Sequence, residues 1–301
     1  MPVTNGIEIV NLEPEDRADW QSMFGEFLQR EWATDQYEQA WARLQVDDEV
    51  HAFGARVDGR LVGFVHFFAH AHTNAPDVCC MHHLFTSSGR RGRGVGRALI
   101  AAVAEWARQH GCFRLYWVVQ EGNVTARRLY DEVGAFEGFI EYRMQIGSDA
   151  PAVAPPDDID IVALAPDDRA RWEALFHDYI DFYERELPDD EYERAWQRLR
   201  QDDAIHVLGA RIDGELVGIV HFMAHAHTNG PDVCYLQDLF TDASARGRGV
   251  GRALIAAVAE WARSHDCARV YWATQRTNTT ARILYDQVAE SEGFLIYRMP
   301  V

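Results

Sequence analysis

The first apolar and polar alternation of the chain, Ile7 to Leu12, is that of a short half-buried strand, and Pro14 then stands where the first turn of a helix tolerates it. Trp20, Phe24, Phe27 and Leu28 follow at helical spacing, and a second amphipathic stretch carries Tyr37, Trp41 and Leu44. Such aromatic stripes predict two helices docked on a sheet, with the rings in the core. Val50 to Val57 and Leu61 to Phe68 are apolar runs on either side of Asp58-Gly59, a dipeptide that closes tight hairpins. A loop with His70, His72, Thr73, Asn74 and Pro76 leads into a strand from Val78 to Phe85. An alanine-rich helix after Arg91, a buried strand Leu115 to Val119, a helix Thr125 to Val133 and a strand Phe139 to Met144 complete the pattern. The predicted order is β, α, α, β, β, β, α, β, α, β.

The whole pattern then recurs. From Tyr37 onward the halves align at an offset of about 155 (Trp41 with Trp196, Gly63 with Gly218, Tyr130 with Tyr285), and before it at about 152 (Trp20 with Trp172). The difference places a short insertion near Arg185 to Pro188. A chain of 301 residues, 48% of them apolar, is long enough for two domains, each expected to have its own core. Gly147 to Asp158, with three prolines among alanines, reads as the linker. The expected division is residues 1–147, a linker 148–158, and residues 159–301.

The most specific stretch also occurs twice. Arg-Gly-Arg-Gly-Val-Gly-Arg-Ala-Leu-Ile runs from Arg91 and again from Arg246, each time between an apolar strand and an alanine-rich helix. Gly92, Gly94 and Gly96, like Gly247, Gly249 and Gly251, therefore sit at a helix N-terminus, where unpaired amides suit a pyrophosphate. The stretch ends in Gly-Arg-Ala rather than Gly-Lys-Ser/Thr, which disfavours a P-loop. Both copies come late in their halves, which disfavours a dinucleotide-binding turn. What remains is Arg-x-x-Gly-x-Gly, and with it the chain resembles the GNAT superfamily of acetyl-CoA-dependent N-acetyltransferases. The element order fits that resemblance over nearly all of each half. It implies an α/β fold of two fused GNAT domains, each with a mixed sheet whose splayed centre takes acetyl-CoA.

On that resemblance the residues facing acetyl-CoA are Leu84, Phe85, Thr86, Arg91, Gly92, Arg93, Gly94, Val95, Gly96, Arg97, Asn123 and Tyr130. Their counterparts are Leu239, Phe240, Thr241, Arg246, Gly247, Arg248, Gly249, Val250, Gly251, Arg252, Asn278 and Tyr285. Tyr130 and Tyr285 close the pattern Asn-x-x-Ala-x-x-Leu-Tyr, which resembles the family's second motif. A phenol is a suitable general acid for a departing thiolate, and both tyrosines are candidates for that role. In the strand before each glycine turn the halves differ: His82-His83-Leu84 in the first, Gln237-Asp238-Leu239 in the second. Asp238 would serve as base if burial raised its pKa, and His83 without any shift. Regular strand alternation would send His82 and Gln237 to the opposite face. Because a carboxylate attracts a cationic amine, the C-terminal half is expected to be the more active.

A formal net charge of −18 opposes nucleic acid and anionic membrane surfaces as partners and favours a small cationic amine. Asp238-Leu239-Phe240 and the segment from Tyr271 to Asp286 resemble the branch of the superfamily whose yeast members acetylate polyamines, basic peptide tails or D-amino acids. The five cysteines read as buried thiols rather than a disulfide framework. His66, His70, His72, Cys79, Cys80, His82 and His83 are rich in metal-ligand types, but strand alternation separates neighbours and the second half replaces Cys80 and His82, so no metal is expected. With neither a signal peptide nor an apolar run of spanning length, the expectation is a cytoplasmic protein. The two halves should form an intramolecular pseudo-dimer, and a homodimer of it is the further assembly to consider. Two alternatives stand beside an amine acetyltransferase: a half that binds CoA without transferring, and an aminoglycoside-type acetyltransferase.

Overall fold

The computed structural model describes residues 3–4, 6–30, 32–46, 49–146, 156–201 and 204–301. Residues 147–155, most of the expected linker, lie outside the described residues. The first half runs β1 (Val3–Thr4), β2 (Ile7–Asn11), α1 (Arg17–Leu28), α2 (Thr34–Val46), β3 (His51–Val57), β4 (Arg60–His70), β5 (Val78–Thr86), α3 (Val95–Gln109), β6 (Arg114–Gln120), α4 (Val124–Val133) and β7 (Ala135–Gln145). The second runs β8 (Asp160–Ala163), α5 (Arg169–Phe182), α6 (Asp189–Gln201), β9 (His206–Ile212), β10 (Glu215–His225), β11 (Val233–Thr241), α7 (Val250–Ser264), β12 (Arg269–Gln275), α8 (Thr279–Val288) and β13 (Phe294–Pro300).

The hairpin turns form as their residues dictate. Asp58 and Gly59 have φ of 53° and 74°, and Asp213 and Gly214 of 51° and 81°, the double positive φ that matches strand twist in a two-residue turn. The aromatic stripes of α1, α2, α5 and α6 are buried on one face of the sheet, with Trp20, Phe24, Trp172 and Phe176 fully enclosed. The apolar faces of α3 and α7 pack on the other, through Leu99, Val103, Leu254 and Val258.

The described strands form one continuous sheet, ordered β1-β2-β3-β4-β5-β6-β13-β7-β12-β11-β10-β9-β8. At its centre the last strand of each half has crossed to the other. β13 lies antiparallel to β6, pairing Tyr297 with Trp117, and β7 lies antiparallel to β12, pairing Tyr142 with Trp272. β7 also touches β13 at Ala135, Phe136 and Ile140, on both sides of Gly138, whose φ of 84° breaks the strand's regular course. The expectation of a separate core for each half holds under the helix pairs α1–α2 and α5–α6 but is corrected for the rest: a single cluster joins Val103, Trp117 and Tyr142 of the first half to Val258, Trp272 and Tyr297 of the second.

Candidate active sites

In the first half β5 and β6 pair in parallel only from Val78–Met81 to Arg114–Trp117, and in the second β11 and β12 pair only at Cys234–Tyr235 with Val270–Tyr271. Beyond these points the strands diverge. The N-terminus of α3 or α7 is aimed into the opening. Gly94 and Gly249 are the N-caps, at φ of 86° and 94°, and neither helix has a side chain capping its first amides. Left-handed backbone at this position is open to glycine, and the uncapped amides give an anion-binding donor set.

In the first half the opening is a pocket of about 720 Å³ lined by Leu84, Phe85, Thr86, Arg91, Gly92, Gly94, Val95, Gly96, Arg97, Asn123 and Tyr130. Of the residues expected there, Arg93 is exposed and outside the lining. Glu26, Phe27 and Gln29 from the end of α1, Arg90 before the glycine turn, and Thr125, Ala126, Arg128, Leu129 and Glu132 from α4 complete the wall and were not among the residues expected to face the cofactor. The α4 residues lie within or beside the Asn-to-Tyr motif, a signal the sequence did contain. Arg91 and Arg246 are held in place by the strand they follow: their Nε groups donate to the Thr86 and Thr241 carbonyls at 3.0 and 3.3 Å, and their guanidinium carbons lie 5.8 and 5.7 Å from the Phe85 and Phe240 rings. Asn123 and Asn278 cap α4 and α8, accepting from the Ala126 and Ala281 amides at 3.1 and 3.3 Å. Arg97 pairs with Glu132, whereas Arg252 bonds the neutral Gln287. Arg248 is turned outward to Asp158, 2.6 Å away.

Tyr130 and Tyr285 are buried, and burial pushes the Tyr130 phenol up to about 12 and the Tyr285 phenol up as well. Both keep their proton at neutral pH, as a donor to a thiolate must. Each rests on the tryptophan of its own half and on a tyrosine brought by the exchanged strand. Tyr130 has Trp117 at 5.3 Å and Tyr297 at 5.7 Å; Tyr285 has Trp272 at 5.3 Å and Tyr142 at 5.5 Å, centroid to centroid. Tyr297 and Tyr142 donate in turn to Asp131 and Asp286, both at 2.6 Å, on the helices that carry the candidate acids.

The strand before each glycine turn is not regular. The β4–β5 register shifts after His66–His83, leaving His82 as an extra residue, and the β10–β11 register shifts after His221–Asp238, leaving Gln237. A bulge breaks the alternation of faces. The His82 and His83 rings consequently stack at 4.1 Å, and Gln237 lies beside Asp238, so the expected opposite orientation of these neighbours is corrected.

Behind each bulge runs a hydrogen-bonded relay. Trp20 Nε1 donates to His66 Nε2 at 2.9 Å, and an indole N–H can only donate. The His66 proton is thereby fixed on Nδ1, which donates to His83 Nδ1 at 3.1 Å and leaves the His83 proton on Nε2. Burial pushes His83 down to about 3, with Arg269 adding to the effect. The expectation that His83 acts as base without a shift is therefore corrected: its basic nitrogen is occupied and it stays neutral. In the second half Trp172 Nε1 donates to His221 Nε2 at 3.0 Å, and His221 Nδ1 donates to Asp238 at 3.0 Å. Burial on its own would raise Asp238, but the hydrogen bond from His221 and the neighbouring His221, His72 and Tyr179 side chains outweigh it, and the net shift is downward. The condition that burial raise its pKa is not met; Asp238 is a firmly ionised carboxylate.

Loops cross between the halves. Arg198 on α6 grips the first half's loop through the His72 and Ala75 carbonyls at 2.8 and 2.7 Å and Asp77 at 2.7 Å. Arg43 on α2 grips the second half's loop through the His227 and Gly230 carbonyls at 2.6 and 2.9 Å and Asp232 at 2.8 Å. Among the described residues no group of three or more His, Cys, Asp or Glu is placed to hold a metal ion, and no helix is long and apolar enough to cross a membrane. The five cysteines are buried free thiols, and burial pushes Cys80 up to about 12 and Cys112 up to about 11.

The diverging strands, the uncapped glycine turn and the buried phenol define an acyl-CoA-dependent transferase site. The sequence model of the acetyltransferase (GNAT) family matches residues 16–135 and 172–289, and the chain belongs to that family. It is an acetyl-CoA-dependent N-acetyltransferase in tandem form. A D-amino-acid N-acetyltransferase of Saccharomyces cerevisiae is 29% identical over 147 residues, 47% of this chain and 91% of that protein. A mycothiol acetyltransferase of Acidothermus cellulolyticus is 30% identical over 271 residues, 83% of this chain and 75% of that one. Among solved structures, a tandem GNAT protein from the clavulanic acid biosynthesis pathway covers 98% of both chains with a TM-score of 0.53 at 18% identity, a likeness of fold.

Proposed function

We propose that each half binds one acetyl-CoA, and that the C-terminal half transfers the acetyl group to the primary amine of a small cationic acceptor. The observation that carries this reading is Asp238, a buried carboxylate kept ionised by His221, Thr73 and Tyr179 beside the splayed strands. Bound acetyl-CoA supplies the activated acetyl thioester. The amides behind Gly94 and Gly249 hold its pyrophosphate, and Tyr285, with Tyr130 in the other half, holds a proton at Oη for the thiolate. A carboxylate of lowered pKa is a weak base, so Asp238 attracts and orients the ammonium while the amine's proton leaves to water. Several relatives are named for acetylating nitrogen on small molecules: D-amino acids, thialysine and, at 30% identity over 117 residues, aminoglycosides.

The experiment is CoA-thiol release with spermidine, an aminoglycoside and a neutral-side-chain amino acid as acceptors. All 29 basic side chains other than histidine are arginine, so no lysine of the protein competes as acceptor. Release should be negligible without added amine and fastest, in kcat/KM, with spermidine. Preference for the aminoglycoside would favour an antibiotic-modifying role; CoA binding with no turnover of any amine would make the chain a CoA-binding module.

A further inference from the structure

Buried polar side chains without partners are rare in folded proteins, and six of the twelve such atoms among the described residues fall into two sets drawn from corresponding segments. Beside the second half's site, His72 Nδ1, Asn74 Nδ2 and Gln237 Oε1 are buried with no hydrogen-bond partner; beside the first half's, His82 Nδ1, Thr228 Oγ1 and Asn229 Oδ1. Each set mixes sources in the same way. Gln237 and His82 are the bulge residues of the half whose acetyl-CoA site they adjoin, while the others come from the loop of the opposite half. Asn74 is 6% exposed and Thr228 2%, so neither is served by bulk water.

The loop tip is tied directly to the site. Thr73 Oγ1 donates to Asp238 at 2.9 Å and accepts from Gln237 Nε2 at 2.7 Å, across the boundary between halves. On the other side His227 stands 4.2 Å from His82, ring to ring. The grips of Arg198 and Arg43 on the loop backbones hold both tips in place.

We propose that each acceptor subsite is assembled from both halves, the bulge residue of one and the loop tip of the other supplying its hydrogen-bonding groups. In the C-terminal site Asn74 and Gln237 bind a second polar group on the acceptor, and Thr73 is a positioning residue that orients Asp238. The acceptor is thus a primary amine carrying a further hydrogen-bonding group, which deepens the functional reading above and rests on it.

The test uses the full chain with Tyr130→Phe, so that turnover comes from the C-terminal half. 4-Amino-1-butanol and butylamine serve as a pair of amines with and without a second polar group, the hydroxyl being able to accept from Asn74 Nδ2 and donate to Gln237 Oε1. Asn74→Ala, although it lies in the N-terminal half, should raise KM for 4-amino-1-butanol roughly tenfold while changing that for butylamine less than about twofold, with CoA affinity unchanged. Thr73→Val should lower kcat with both amines, and Thr73→Ser, which keeps the hydroxyl, should restore it. Equal losses for both amines on Asn74→Ala, or an effect confined to protein carrying Tyr285→Phe instead of Tyr130→Phe, would overturn the proposal. Calorimetric binding of 4-amino-1-butanol to the CoA-saturated chain reads the same contact without turnover. If no amine is acetylated, the functional reading fails; if 4-amino-1-butanol binding is nonetheless weakened by Asn74→Ala, the composite subsite stands, and if it is unchanged, the subsite falls.

Discussion

The two sites share a scaffold and differ at its most sensitive point. In the first half the relay Trp20–His66 ends on His83, whose ring lies 5.0 Å from Phe27. In the second the relay Trp172–His221 ends on Asp238, and the residue equivalent to Phe27 is Tyr179, whose phenol helps to lower the pKa of that carboxylate. Two substitutions thus go together: a charge that needs donors has them, and an imidazole that stays neutral is walled by rings. An ionised group is tolerated in a buried place only when its lone pairs are filled. The comparison teaches that Asp238 is a supported anion, and that replacing His83 alone would not reproduce it.

Acid should separate the halves most strongly. His66, His70, His72, His82 and His83 of the first half are all lowered by burial, His70 to about 4 and His72 and His83 to about 3, while the second half has His225 and His227. Their folded pKa values lie below the unfolded 6.5, so the unfolded chain binds more protons beneath that pH and stability falls as pH drops from about 6.5 toward 3. Each such histidine costs up to about 1.4 kcal/mol per pH unit in that window. Asp238 acts in the same direction but in a lower window: its pKa is lowered from 3.8, so its contribution is present above 3.8 and is lost only at lower pH. Urea midpoints should drop steeply between neutral pH and about pH 5, with the Trp20 indole proton exchanging before that of Trp172. A flat midpoint, or Trp172 exchanging first, would count against the histidine account.

The glycine turns give the next largest effect. An aspartate at Gly249 would be forced to a φ of 94°, place a Cβ 3.2 Å from Pro156 and set a negative charge at the end of α7 that is to face pyrophosphate. Calorimetry should find two acetyl-CoA sites in the native chain and one in Gly249→Asp, the surviving site keeping its affinity. One native site, abolished by this substitution alone, would mean that the N-terminal pocket does not bind the cofactor.

Much of this was legible in the sequence. Asp58-Gly59 announced its turn, the aromatic stripes of α1 and α5 went to the core, and Leu84, Phe85, Thr86, Arg91, Gly92, Gly94, Val95 and Gly96 lined one pocket because glycine, strand and helix order leave few alternatives. The strand exchange was not legible: β7 and β13 carry the same apolar pattern, and periodicity says which residues face the core without saying which strand lies alongside. The bulges at His82 and Gln237 hid for a related reason, since an inserted residue breaks the period of two without any special residue type. Nor could the sequence reveal that Thr73 reaches Asp238, 165 positions away, or that the neighbours of Asp238 would reverse the effect of burial on its pKa.

The central claim is that the C-terminal half, with its supported anion and its phenol, is the main catalyst for a cationic amine. The most direct measurement is spermidine turnover at saturating acetyl-CoA for Tyr285→Phe and Tyr130→Phe side by side. The account predicts a fall of at least about tenfold in kcat for Tyr285→Phe, with CoA affinity retained, and less than about a twofold fall for Tyr130→Phe. Loss of most turnover in Tyr130→Phe, with Tyr285→Phe unaffected, would contradict it and make the N-terminal half the catalyst.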